Sequence, residues 1–325
     1  MRLFSFLLVM LTICCWTSEA RAGSVVERVK ARGVVQCGSA KRPGLAYLDG
    51  QGRWTGLYVD ICRVIAAAVL NSPERIEYHE YETPKQFDAV RNQEDDVYFL
   101  TGSEINEQNL AGKVVPGPAV FVESHNVMVP SNSAAHHVAE LGGDTICFLI
   151  GSLTERSLSD YFDTLQKSWL HMPFSEDGEM NDAYSVQRCH AIAGELTTLA
   201  ATRLTPGVNR LSSRILPEPL SVFPVIAATG TNDAQWSAIV NWTVIALISA
   251  ERHETRWYAG GEQAMPIAAP ELGLEKGWQR RVLAAVGTYG DIFERHLGKG
   301  SPLKLDPGFN ANQLRGGLLL SPFLE

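Results

Sequence analysis

The stretch Gly56-Leu57-Tyr58-Val59-Asp60-Ile61-Cys62-Arg63-Val64-Ile65-Ala66-Ala67-Ala68-Val69-Leu70-Asn71 decides the fold. From Val59 to Asn71 its apolar residues recur at helical spacing, so it reads as a helix. Before it stand a helix-like VVERVKARG, a strand-like VVQCGSA and a turn-rich RPGLAYLDGQGRW. After it come an alternating strand, IEYHEY, and a helix, PKQFDAVRNQE, with Thr83 as N-cap and Pro84 at the first position. DVYFL closes the run as a third strand. The order is βαβαβ, the pattern of a parallel α/β sheet.

The same rhythm repeats further on. TICFLIGS reads as a strand, LTERSLSDYFDTLQ as a helix, WLHMPF as a strand, GEMNDAYSVQR as a helix and CHAIAGE as a strand. Linking the two lobes these runs form, ESHNVMVP and VFPVIAATG read as extended crossings, one outgoing and one returning. A long helix, DAQWSAIVNWTVIALISAERH, follows the second crossing and is expected to pack back on the first run. Asn241 interrupts its apolar stretch, which is too short to span a bilayer. Two α/β lobes on two crossings make a hinged clamshell, with residues 23–128 plus 225–325 as lobe 1 with a C-terminal extension and 129–224 as lobe 2. Ligands of parallel sheets sit beyond the carboxyl ends of the strands, so a cleft is expected after Cys37, Leu100, Ile150 and Ala193.

The chain opens MRLFSFLLVMLTICCWTSEARAG. Arg2, the apolar run from Leu3 to Trp16 and the small-x-small Ala20-Arg21-Ala22 read as a secretory leader cut after Ala22, residues 1–22. Ile13 and Cys14 suit a lipidated cysteine poorly, so a soluble exported protein is expected. The net charge is −8, and Lys and Arg are nowhere concentrated, which argues against nucleic acid and anionic membrane surfaces. Beyond the leader remain Cys37, Cys62, Cys147 and Cys189. An even number in an exported chain favours disulfides, with three pairings open. None forms a CxxC or stands near a metal-spaced His pair, so no metal and no cofactor is expected.

Several segments resemble family-3 extracellular solute-binding proteins, the periplasmic receptors of polar amino-acid ABC importers. The segment from Gly56 to Val69 resembles that family's signature. VKARGVVQCG, GRWTGLYVDICRVIAAAVL, DTICFLIGSLTERSLSDYF and YGDIFERHLGKGSPLKLDPGFNANQLRGGL are similar to the general L-amino-acid-binding receptors within it. The likeness runs over nearly the whole chain after the leader. It implies disulfides Cys37–Cys62 and Cys147–Cys189, one per lobe, and a monomer that delivers a small polar solute to an inner-membrane ABC permease.

It also implies a ligand site that holds an amino-acid zwitterion at both ends. The family's carboxylate-binding arginine, in the loop after the third strand, falls on Gln108. A bidentate guanidinium is not replaced by an amide. The neighbouring hydroxyl positions fall on Thr101 and Ser103 in Phe99–Gln108, FLTGSEINEQ. In the second lobe the Gly-Ser/Thr-Thr turn reads Gly151-Ser152-Leu153-Thr154, so Ser152 remains and one hydroxyl is lost. The acid for the ammonium falls on Glu195, the stacking aromatic on Arg42, and the first acid of the signature on Tyr58. Each residue also has a plainer role: Glu195 as an acid at a helix start, Tyr58 as lobe surface, Arg42 as a solvated loop residue, and Thr101 and Ser103 as caps of their own loop. The expected function is an amino-acid-type solute receptor with altered specificity. Two other classes stay open: a dehydratase-like enzyme on the same scaffold with Glu195 as acid/base, and a non-transport accessory protein that docks on a partner.

Overall fold

The computed structural model describes residues 24–81, 86–101, 114–231, 233–251 and 272–321. The leader expected at 1–22, the cap at Thr83 and Pro84, and Ser103 and Gln108 lie outside the described residues. The first helix, α1 (Val25–Arg32), starts on a reciprocal cap, in which Ser24 Oγ accepts from the Glu27 amide and Glu27 from the Ser24 amide. Strand β1 (Val35–Ser39) follows, and then a two-stranded hairpin, β2 (Tyr47–Leu48) and β3 (Trp54–Thr55), inside the segment read as turns. Helix α2 (Leu57–Leu70), strand β4 (Ile76–Glu80), helix α3 (Gln86–Arg91) and strand β5 (Val97–Leu100) complete the first run. β4 and β5 lie parallel to β1 on its two sides, with Cys37 opposite Tyr78 and Val97.

After β6 (Val114–Val115) comes the long β7 (Ala119–Pro130). The second run then reads β8 (Thr145–Leu149), α4 (Leu153–Thr164), β9 (Leu170–Phe174), α5 (Asp177–Ser185), β10 (Ala191–Glu195) and α6 (Leu196–Thr202). Strands β11 (Ser213–Ile215) and β12 (Ser221–Gly230) lead back, and helices α7 (Ala234–Ala250), α8 (Trp278–Val286) and α9 (Tyr289–His296) follow. The strand order is β4-β1-β5-β12-β7-β10-β8-β9. The antiparallel pair β7 and β12 therefore stands between the two parallel groups, and these are the two crossings expected from the sequence.

Each group has its own core. In the first, Val35, Val59, Val64, Ile65, Ile239, Val244 and Trp278 pack together. In the second, Ile146, Phe148, Leu158 and Phe162 fill one face of the sheet, and Met180, Tyr184 and Ile192 fill the other. The molecule is a two-lobed α/β clamshell. Helix α2 is apolar nearly all round because it is covered on all sides, by β1, α7 and α8. Tyr58 belongs to this core rather than to the lobe surface: it is fully buried and stacked on Phe99, ring centroids 4.8 Å apart. The plainer reading of that residue fails because its helix has no outer face.

The disulfides are Cys37–Cys62 and Cys147–Cys189. The first ties β1 to α2, and the second ties β8 to the residues entering β10, so both stay inside one parallel group. The C-terminal helices are anchored through Asp60, whose Oδ2 accepts from Arg295 at 2.6 Å and from His296 at 2.7 Å, while Oδ1 accepts from Arg63 at 2.7 Å. Burial opposes its ionisation, but hydrogen bonds and charge from His296, with both guanidinium groups, hold it well below the usual carboxylate range. Further on, Asn310 pairs with both main-chain groups of Val122: its Oδ1 accepts from the amide at 2.7 Å and its Nδ2 donates to the carbonyl at 2.8 Å. Tyr289 donates to the carbonyl of Val120 at 3.0 Å on the same strand.

Candidate functional site

Beyond Ser39 the chain turns sharply, with the Arg42 amide donating to the Ala46 carbonyl at 2.7 Å and the Ala46 amide to the Arg42 carbonyl at 3.0 Å. Gly44 has φ 72°, and a Cβ there would run into the side chains of Leu297 and Leu303. The loop that carries Arg42 is thus braced from behind by the C-terminal segment. Opposite it, Glu195 ends β10 and occupies the N-cap position of α6, yet it makes no capping bond. Its carboxylate instead meets the Arg42 guanidinium across the cleft. The two side chains are only 19% and 17% exposed.

Two residues of β7 lie behind this pair. Glu123 is buried, accepting from the Ser124 amide at 2.9 Å and the Thr197 hydroxyl at 2.6 Å. Burial, and then the negative charge of Glu195, push its carboxyl up to about 7 against the help of Thr197, Ser124 and Arg42. His125 lies within 2.8 Å of Ser221 Oγ and 3.0 Å of Ser157 Oγ. Burial, and then Arg42, push it down to about 4, so it is neutral at neutral pH.

The start of α4 is capped by its own residues. Ser152 Oγ donates to the Leu149 carbonyl at 2.6 Å and accepts from the Glu155 amide at 3.2 Å. The Gly151 amide donates to Glu155 Oε2 at 2.6 Å. A carboxylate from the protein itself thus takes one main-chain donor of this turn. The cavity beside it has a volume of about 830 Å³ and draws its walls from both parallel groups. Lys41 and Arg42 supply its basic side, Asp177 and Glu195 its acidic side, and Asn181 and Thr198 add neutral polar groups.

Of the residues expected at the ligand, Arg42, Ser152 and Glu195 meet on this cavity. Thr101 is buried at the end of β5 and does not line it. Ser103 and Gln108 lie outside the described residues. Arg42 is not a solvated loop residue, because its partner lies across the cleft. The residues expected at the site include neither Glu123 nor His125. The signal was the polar run Glu123-Ser124-His125-Asn126 inside an otherwise apolar crossing. Among the described residues no group of three His, Cys, Asp or Glu is placed to hold a metal ion, and no helix is long and apolar enough to cross a membrane.

No family model matches the chain. It is 32% identical over 322 residues to the general L-amino acid-binding periplasmic protein AapJ of Rhizobium johnstonii, which covers 94% of both chains. It is 28% identical over 320 residues to the putative amino-acid ABC transporter-binding protein YhdW of Escherichia coli, with 94% of each covered. Among solved structures it is similar to a periplasmic binding protein from Brucella ovis with glutathione bound, at a TM-score of 0.76 and 29% identity. That match covers 91% of this chain and 97% of the other.

Proposed function

Because the chain belongs to the periplasmic amino-acid-binding proteins of ABC transporters, we propose that its cleft receives a small polar solute, an amino acid or amine-like molecule, and presents it to an inner-membrane permease. The observation that carries this reading is the cavity of about 830 Å³ walled from both halves, with Arg42 and Glu195 meeting across it. Hinged halves close on a ligand and present a different surface when loaded, which is what a receptor for a permease needs. In this reading the protein works in the periplasm as a monomer, after loss of residues 1–22, and catalyses nothing. Its lobes are 23–128 with 225–325, and 129–224.

Specificity departs from the family pattern on this reading. Gln108 stands at the arginine position, and the Gly151–Ser152 turn spends its donors on Leu149 and Glu155. Cavity size favours a ligand larger than one amino acid, since volumes of about 300–1,000 Å³ accommodate drug-sized molecules. The glutathione in the similar Brucella ovis protein points the same way.

A thermal-shift screen of the mature protein against amino acids, amines, sugars and short peptides including glutathione tests the proposal. A true ligand at a thousandfold excess over Kd stabilises the protein by about 4 kcal/mol. Binding without turnover is the expected result. Turnover lost in Glu195→Gln supports the enzyme instead, and silence with co-purification of a protein partner supports the docking role. Gln108→Arg is expected to raise affinity for α-amino acids, and calorimetry that shows no gain counts against position 108 as the lost clamp.

A further inference from the structure

Helix α6 leaves β10 directly and so belongs to the second parallel group, yet it packs on both groups. Leu199 shares the second group's core with Met180, Tyr184 and Ile192. Ala200 is fully buried in the first group's core, and Leu196 and Ala201 pack against that core as well. Polar contacts follow the same division along the helix. Glu195 at its start meets Arg42, and Thr197 donates to Glu123 on β7 at 2.6 Å. Arg203, just past its end, donates to the main-chain carbonyl of Leu303 at 2.5 Å. Neither Arg203 nor Leu303 lines the cavity, so this last contact lies outside the space that a solute fills.

The acceptor sits in a turn that is fixed from several sides. After α9 the Ser301 hydroxyl donates to the Gly298 carbonyl at 2.9 Å and accepts from the Leu303 amide at 3.1 Å. The Leu305 amide donates to the Leu297 carbonyl at 2.8 Å, and Ser301, Leu303 and Leu305 are all buried. Lys304, next after the acceptor, has a φ of 49°, a left-handed backbone that residues other than glycine adopt only where their surroundings impose it. The Leu303 side chain stands behind Gly44, in the loop that carries Arg42. One residue thus holds the second half through its carbonyl and braces a cleft loop of the first through its side chain. A guanidinium donor makes that carbonyl bond stronger than a neutral one, and parting the halves breaks it.

We propose that Arg203 is a positioning residue, which latches the two halves in their closed arrangement through the Leu303 carbonyl whether or not a solute is present. The latch goes beyond the receptor reading, because it acts on the halves themselves and needs no particular ligand. Closure held in this way raises the fraction of protein ready to bind. In the test, spin labels are placed at Gln51→Cys in the β2–β3 turn and Ser175→Cys after β9, both exposed, in the mature protein, whose own cysteines are paired. Double electron–electron resonance then measures the distance between them without ligand. The parent is expected to populate mainly the short distance. Arg203→Met keeps the apolar stem and removes the donors, and is expected to lower the ratio of short to long distances at least about fivefold. Arg203→Lys, which keeps a charged donor, is expected to recover part of that ratio. Unfolding midpoints near the parent's show that the variants are folded, and Arg203→Gln takes the place of Arg203→Met should the latter fail to fold. A ligand-free parent that stands open, or an Arg203→Met protein with the parent's distances, overturns the latch and leaves the receptor reading standing.

Discussion

Glu123 and His125 stand two residues apart on β7, and their shifts oppose each other. Glu123 rises from an ordinary 4.5 to about 7, so the folded protein holds a proton that the unfolded chain has released. Its contribution to stability is complete below pH 4.5 and fades as the pH climbs to about 7. His125 falls from 6.5 to about 4, so the unfolded chain takes up a proton that the folded protein refuses. That contribution is absent below about pH 4 and grows until pH 6.5. The two slopes nearly cancel in the parent protein and separate in single variants. Relative to the parent, Glu123→Gln is expected to gain stability as the pH rises through this window, and His125→Asn to lose it. Denaturant titrations at pH 4.5, 5.5, 6.5 and 7.5 measure both differences. Slopes of the same sign would show that these side chains do not titrate as the geometry demands.

At the scale of elements, the start of α4 separates two roles for one hydroxyl. Ser152 as a ligand contact predicts a large loss of affinity on removal. Ser152 as a cap predicts a loss of about 1 kcal/mol in stability and an affinity within about threefold of the parent. The hydrogen bonds to Leu149 and Glu155 favour the second result for Ser152→Ala, which denaturant melts and calorimetry report together. The same turn shows the limits of sequence. Periodicity and apolar runs bounded by turn residues place β1, α2, β4, β5 and the β8-to-β10 run. The hairpin β2–β3, the short β11 and the C-terminal helices α8 and α9 are not legible in the sequence pattern. Two- and three-residue strands carry no period, and α9 depends on its fit against α2 and α7. At the site, the family resemblance brings out Arg42, Ser152 and Glu195 one by one. That the first and last are partners could not be seen, since 153 residues separate them.

For the molecule as a whole, the arrangement puts rigidity and movement in different places. Both disulfides lie within one half each, and β7 and β12 pass between the halves, so cross-links brace each half without bridging the cleft. The C-terminal segment adds to this bracing: Leu297 and Leu303 lie behind Gly44, Asn310 lies against β7, and the Leu303 carbonyl accepts from Arg203 after α6. Asn310→Ala strips both main-chain groups of Val122 of their partners, at about 1–3 kcal/mol of stability. A melting curve unchanged from the parent would mean that water serves Val122 equally well. The Asn310 amide does the work of a neighbouring strand where, among the described residues, β7 has β12 on one side of Val122 and no strand on the other. An unsealed margin of that kind is where foreign chains add on. Its seal comes 188 residues later in the chain, so a nascent or truncated protein carries an open seam through the middle of its sheet, and aggregation of C-terminally shortened forms should begin there.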